Sequence, residues 1–577
     1  MLSELPRQRT YLPYNFKVTV WSKLKPYFVE LQHRSISNSA ELQQWLHDLH
    51  ELRAVVADDF SWRNIRHAND STNERVLDAF EYALRELRPR VDTFSIVLDE
   101  KLLNSPFLDQ LEGEAQAINT RRTHARLELY RKVNPESLSD IEVLSQQYRP
   151  IYNQIKVHYG TNVFSLRQAF AKLETIVPEE RVALFDQIDA ALEGTQAAFN
   201  QLFEQLLEKR QDMAAAAGYD NFRSFQFDVL ERVDYDAGFC EALHQIVEKE
   251  VLPAVEQIDA LRCKAAGKER LHTADLYAPL QAVSEQIDAQ ELLDLCSACL
   301  QQIHPTFGES LTLLQQHQQL DLTASELKHR GGFCVPMISA GIPYVSLHSN
   351  GSWHDRRLFM HTFGQALHSM AASHFDLNSA KRLPTELSGL SAMVLKYLSL
   401  EHPGAHLEGT TNWNRLKAWE LEQNLRQLLL IAALDQFQHW VYTHPKHDRA
   451  MRDSVWQNCC ERFTSKHLQP ASASNFWKYH WHLIHHCFEM PFQMIEYAMT
   501  QLAAIDLWQQ YTAAEGDTRQ QRAANYWQFM QRGYSADLPK LYEAAGTRFD
   551  FSGKVVRKRM AFVVTQYEQL MQSAMGG

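Results

Sequence analysis

Residues that break helices are few. The 577-residue chain holds only 21 glycines and 19 prolines, against an abundance of leucine, alanine, glutamine and glutamate. That balance argues against a turn-rich sheet protein and for long helices. Cysteine is scarce as well, eight in all, too few in a chain this long for a disulfide framework. Cys296 and Cys299 form one C-x-x-C pair, but a structural zinc needs four ligands and no second pair is in sight. Their stretch, LLDLCSACLQQI, reads as the apolar face of a helix. Positive charge is short: the formal net charge is −12 and no long Lys/Arg run occurs, which disfavours nucleic acid as a partner. Long apolar runs are missing too. Leu428 to Leu434 is the longest, far below the roughly 20 residues of a membrane-spanning helix. The start, MLSELPRQRTYLPYNF, lacks an apolar signal core, so the expected location is the cytoplasm.

What is present is helical rhythm. Asn38 with Glu41 resembles a capping box, followed by Leu42, Trp45, Leu46, Leu49 and Leu52 at helical spacing. Ser71 with Glu74 and Ser139 with Glu142 suggest two further helix starts. A long helical stretch runs from about Glu179 to Ala217 and stops at Gly218-Tyr219, and Arg262 to Leu271 reads as a polar turn. Trp413, Trp419 and Trp440 have apolar helical neighbours and read as core. The rhythm breaks at Gly331-Gly332-Phe333, and Tyr344, Val345 and Leu347 then read as a strand bracketed by Gly and Pro. Length alone implies at least two subdomains.

The stretch LFMHTFGQALHSMAASHFD, Leu358 to Asp376, carries the chemical signal. Helix-borne zinc peptidases use His-Glu-x-x-His: the two His, at i and i+4, face one metal and the Glu takes a proton from its water. Here that frame reads His361-Thr362-Phe363-Gly364-Gln365. His361, Phe363, Gly364, Ala366 and His368 nevertheless fall where the thimet oligopeptidase and oligoendopeptidase F family carries H-E-F-G-H-A-x-H, and the chain resembles that family. Arg9 to Pro13 and Ala217 to Phe222 resemble further family segments, so the likeness runs nearly end to end.

The resemblance implies a mostly α, multi-helical zincin-type peptidase fold. Its two halves flank a deep channel, with a small β-sheet beside the former active-site helix. The expected division is an N-terminal helical domain over residues 1–200 and a peptidase-like domain over 201–577. It also implies a third zinc ligand, a Glu on the following helix, where Pro384 to Met393 places Gly389; Glu386 lies about one helical turn earlier. Trp481 to Tyr511 resembles the family helix carrying a transition-state His and Tyr hydroxyls. In that register His486 and Tyr497 are retained, while Gln493 and Met494 stand where the family has Tyr.

The expectation is therefore a degenerate pseudopeptidase with no catalytic residues and no cofactor, its Thr362, Gln365 and Gly389 replacing base and ligands. Its expected partner is a peptide or protein segment, held by Gly331, Gly332, Phe333, Tyr344, Val345, His368, His486 and Tyr497. One alternative is an active metallopeptidase or altered hydrolase whose zinc is relocated among His361, Glu386, His482 and His486, since His482 and His486 have ligand spacing. Another is a structural subunit of a larger complex.

Overall fold

The computed structural model describes residues 2–70, 72–133, 135–280, 288–323, 331–349, 353–404, 410–469 and 475–575. Helices dominate. The elements that matter for the site are helices α1 (Ser39–Asn69), α2 (Ala237–Ile246), α3 (Trp353–Ala371), α4 (Thr385–Leu398), α5 (Thr411–Thr443) and α6 (Met494–Thr512). Short strands are β1 (Lys156–Tyr159), β2 (Asn162–Ser165), β3 (Leu320–Asp321), β4 (Gly332–Val335) and β5 (Tyr344–Leu347).

Helix α1 starts where its cap dictates. The Asn38 side chain accepts from the Glu41 N–H at 2.9 Å, and the Glu41 carboxylate accepts from the Ser37 N–H at 2.7 Å. Leu42, Trp45, Leu46, Leu49 and Leu52 are all buried on one face, each such side chain contributing about 1.5–3 kcal/mol. They belong to an apolar core of their own, built from residues between Leu12 and Leu102. A second, larger core runs through the remainder of the chain.

Two of the expected helix boundaries differ. Ser139 does not cap a helix but lies inside one, Pro135–Ser145, its hydroxyl donating to the Leu84 carbonyl at 3.1 Å; the proline opens that helix instead. The polar stretch after Arg262 stays helical to Ala266 and ends on Gly267, whose φ of +65° closes the helix in the left-handed region. Ser71 lies outside the described residues; the helix that follows it spans Glu74–Tyr82. Cys296 and Cys299 are buried free thiols on one helix.

Strands β3, β5 and β4 form one sheet in that order, β3 parallel and β4 antiparallel to β5, with Gly332 opposite Leu347 and Val335 opposite Tyr344. The central strand β5 is buried along its whole length, and β4 is an edge among the described residues. Helix α3 packs on this sheet with one side and crosses α4 with another. The crossing is close because residue 364 is glycine: a Cβ there would stand 2.6 Å from the Ser391 carbonyl oxygen and 2.7 Å from the Ala392 Cα. Among the described residues, no helix is long and apolar enough to cross a membrane.

Candidate functional site

Along α3 the degenerate motif splits between two environments. His361 and Gln365, four residues apart, are half-buried on one face, whereas Thr362 is buried. The Thr362 hydroxyl donates to the Leu358 carbonyl at 2.8 Å, the usual back-bond of threonine inside a helix. Its Oγ1 also lies under the β4 backbone, 2.7 Å from where a Cβ on Gly332 would sit. A hydroxyl so placed takes no proton from a water; it satisfies its own helix.

Facing His361 is α6. The Tyr497 ring lies with its centroid 6.1 Å from that of His361 and 5.9 Å from that of His486, so the three rings form a row of half-buried polar aromatics. The turn before α6 sets this row. Phe492 has φ +68°, a left-handed conformation uncommon for a bulky residue. It is held from both sides: its N–H donates to Gln438 Oε1 at 3.0 Å, and its carbonyl accepts from Arg232. Such a conformation persists because these two bonds hold it.

The electrostatics keep the site neutral. Burial, with the nearby Lys396 and Arg357 charges, pulls the His361 imidazole down to about 3. His486 is held well below its ordinary range by burial and by His485, and burial together with Glu496 pushes the Tyr497 phenol up to about 12. Lys396, on α4, is itself drawn down to about 7 by burial and Arg357, against the opposing pull of Glu420. At neutral pH the row therefore consists of uncharged imidazoles and a phenol.

A zinc site of the kind the motif resembles needs three donors and an open water position. At the corresponding positions the chain offers the His361 imidazole, the Gln365 amide, and at Gly389 no side chain at all. A Cβ on Gly389 would meet Thr500 Oγ1 at 3.2 Å and its methyl at 3.3 Å, so the neighbouring helix has closed onto this position. These residues do not fit a zinc ion.

The alternative set does not converge either. Glu386 accepts from the Tyr235 hydroxyl at 2.6 Å, in a buried cluster with Arg232 and Glu496. His482 is stacked between Phe199 and Tyr479. Among the described residues, His361, Glu386, His482 and His486 do not bring three ligand atoms together as a metal requires.

Of the residues expected to hold a peptide, Gly331, Gly332 and Phe333 are half-buried at the sheet edge, and His486 and Tyr497 stand in the aromatic row. Three others are placed elsewhere. Val345 is wholly buried as part of the central strand. Tyr344 packs on Trp62 and bonds to Asn69 and Asp321. His368 is buried between α3 and α4, within 2.7 Å of the Ser391 hydroxyl and with its ring edge-on to Phe529. Each of the three is covered by neighbouring elements. Sequence reasoning missed Arg232 and Gln438, which hold the Phe492 turn, and Lys396 and Arg357, which set the field at His361.

Two family models match the chain: one described as the peptidase M3 N-terminal domain over residues 11–130, the other as peptidase family M3 over residues 174–561. Solved structures resemble it along nearly the whole length. PZ peptidase A with inhibitor 2 superposes with a TM-score of 0.88 at 19% identity, covering 97% of this chain and 99% of that one. A provisionally assigned oligoendopeptidase F from Bacillus anthracis strain Ames gives 0.83 at 19% identity, with the same coverage of 97% and 99%. Oligoendopeptidase-F from Enterococcus faecium gives 0.61 at 13% identity, covering 96% and 98%. At these identities the likeness is one of fold. No curated protein matches the sequence.

Proposed function

The chain belongs to peptidase family M3, and from that premise we propose that it is a non-hydrolysing member that holds an extended peptide or protein segment beside α3. The observation that carries this reading is the donor set around His361: one imidazole, an amide, a glycine closed over by Thr500, and a threonine hydroxyl spent on Leu358. Hydrolysis by the family's route has neither a metal cradle nor a general base there.

Binding keeps its apparatus. Strand β4 is an open edge among the described residues, and an extended segment can add to such an edge through main-chain hydrogen bonds. The His348 N–H donates to the Gly331 carbonyl. Ladder alternation then turns the backbone groups of Gly332 and Cys334 outward. The uncharged row of His361, Tyr497 and His486 supplies flat surfaces for side chains of the added strand. On this reading zinc is not held at His361, and no nucleic acid or membrane is engaged.

The test is incubation with a mixture of unstructured oligopeptides, with and without added zinc, followed by mass spectrometry of retained peptides and of products. Retention without cleavage is expected, weakened at least tenfold in Tyr497→Ala and in Cys334→Pro, which removes an outward N–H. Zinc-dependent products that vanish in His361→Ala would overturn the proposal in favour of an active peptidase.

A further inference from the structure

Behind the Phe492 turn, away from the degenerate motif, helices α2 and α5 each present a pair of metal-binding side chains at i and i+4. These are Cys240 with His244 and Asp435 with His439. Side chains four apart share a helix face, and here the two faces meet. His244 Nε2 lies 2.8 Å from Asp435 Oδ2, and His439 Nε2 lies 3.2 Å from the same oxygen. One ligand atom each from Cys240, Asp435 and His439 fall within 4.8 Å of one another. All four residues are buried, Asp435 completely.

The cluster is not satisfied by its own hydrogen bonds. Asp435 Oδ1 has no hydrogen-bond partner among the described residues although it is shut away from solvent, and the 3.2 Å contact of His439 Nε2 with Asp435 Oδ2 lacks the geometry of a hydrogen bond. Unpaired buried acceptors and donors are rare, and each asks for an occupant. Both belong to the three residues whose ligand atoms converge.

We propose that Cys240 Sγ, the Asp435 carboxylate and His439 Nε2 form a binding site for a zinc-like divalent ion that pins α2 to α5, separate from the His361 position. A sulfur, an imidazole and a carboxylate suit zinc or cobalt and not magnesium or calcium, which require oxygen donors. Charge balances: thiolate and carboxylate together neutralise the divalent ion. Burial of all three donors shuts the ion away from bulk solvent, with the fourth tetrahedral position left to a water.

Outer groups are in place. His244 orients the Asp435 carboxylate, and His439 Nδ1 lies 3.8 Å from Glu241 Oε1, which can accept the Nδ1 proton once Nε2 binds metal. In the metal-free chain Arg223 donates to that Nδ1 at 3.2 Å while also holding Glu241 at 3.0 Å, so binding moves the ring proton from Nε2 to Nδ1 and turns Arg223 away from it. Burial and Asp435 keep the Cys240 thiol protonated in the metal-free chain, so binding releases its proton. The ring of His439 packs against Phe492 at 5.3 Å, which places the ion directly behind the turn that positions Tyr497.

The test uses the full chain, purified without chelator or polyhistidine tag, stripped of metal and titrated with Co²⁺. One equivalent is expected, with a near-ultraviolet thiolate-to-cobalt charge-transfer band that Zn²⁺ removes and excess Mg²⁺ does not. The band should vanish in Cys240→Ser and in His439→Gln, and persist in His361→Ala and in Cys296→Ser, each checked for folding by circular dichroism. Absence of the band in folded wild type, its survival in folded Cys240→Ser, or its loss in Cys296→Ser or His361→Ala would overturn the assignment. This inference is independent of the peptide-binding proposal, because cobalt binding is read without peptide and retention without cobalt.

Discussion

Restoring a carboxylate at residue 389 should destabilise the metal-free protein. The structure says by how much. Placing only a Cβ there, as in Gly389→Ala, gains about 1 kcal/mol of helix propensity. It also forces Thr500 to give way from contacts of 3.2 and 3.3 Å, an overpacking cost of about 1 kcal/mol at the low end. The two offset each other, and Gly389→Ala should unfold within about 1 kcal/mol of wild type. Gly389→Glu adds a buried carboxylate with no cation, a loss of about 3–5 kcal/mol. In the triple variant Thr362→Glu, Gln365→His, Gly389→Glu, zinc supplies the missing charge, and adding Thr500→Ala removes the contact. The assay is chemical denaturation of each variant with and without zinc, alongside zinc titration. Zinc should stabilise the triple variant, and stabilise it more once Thr500 is alanine. Gly389→Glu unfolding at the wild-type midpoint without metal would refute the reasoning, because residue 389 would then not be buried against Thr500.

Two further outcomes follow from the packing and from the buried imidazoles. Gly364→Ala has no room at the α3–α4 crossing, where backbone atoms stand 2.6 and 2.7 Å from the new Cβ; a loss of about 3 kcal/mol or more is expected in denaturant, and unchanged stability would contradict the crossing. His361, His368 and His482 are each held down to about 3 by burial. The unfolded chain binds protons at these sites below about pH 6.5, so stability is full above that value and falls as pH drops toward 3, by about 2 kcal/mol per histidine at pH 5. Far-ultraviolet circular dichroism should show acid unfolding between about pH 6 and 4, shifted to lower pH by His482→Phe; a helical signal unchanged to pH 4 would refute it.

The helical class, the cap at Asn38 and the strand at Tyr344 were legible because each rests on local chemistry: a side chain reaching its own backbone, or alternation bracketed by Gly and Pro. The meeting of His361 with Tyr497 and His486 was reachable only through the family resemblance, since 125 residues separate His361 from His486. His368 was misplaced for a related reason. Seven residues return a helix to nearly the same face, but about 10.5 Å along the axis the surroundings change from the aromatic row to the α4 interface. Ser139 followed a four-residue motif that Pro135 overruled. The Cys240 and Asp435 pairs carried a readable signal, ligand types at i and i+4, but which two helices face each other is decided by packing that no short window of sequence contains.

The close approach of Gly332 to Thr362 constrains which side chains residue 362 can carry. With threonine at 362, strand β4 can settle onto the helix, and its backbone now lies where a longer side chain would begin to extend. At 389, Thr500 occupies the corresponding space. On the non-hydrolysing reading proposed above, substitutions toward a zinc site would have to clear both neighbours before either new residue conferred any benefit. Each single substitution would first pass through a less stable protein, so packing as well as chemistry resists the change.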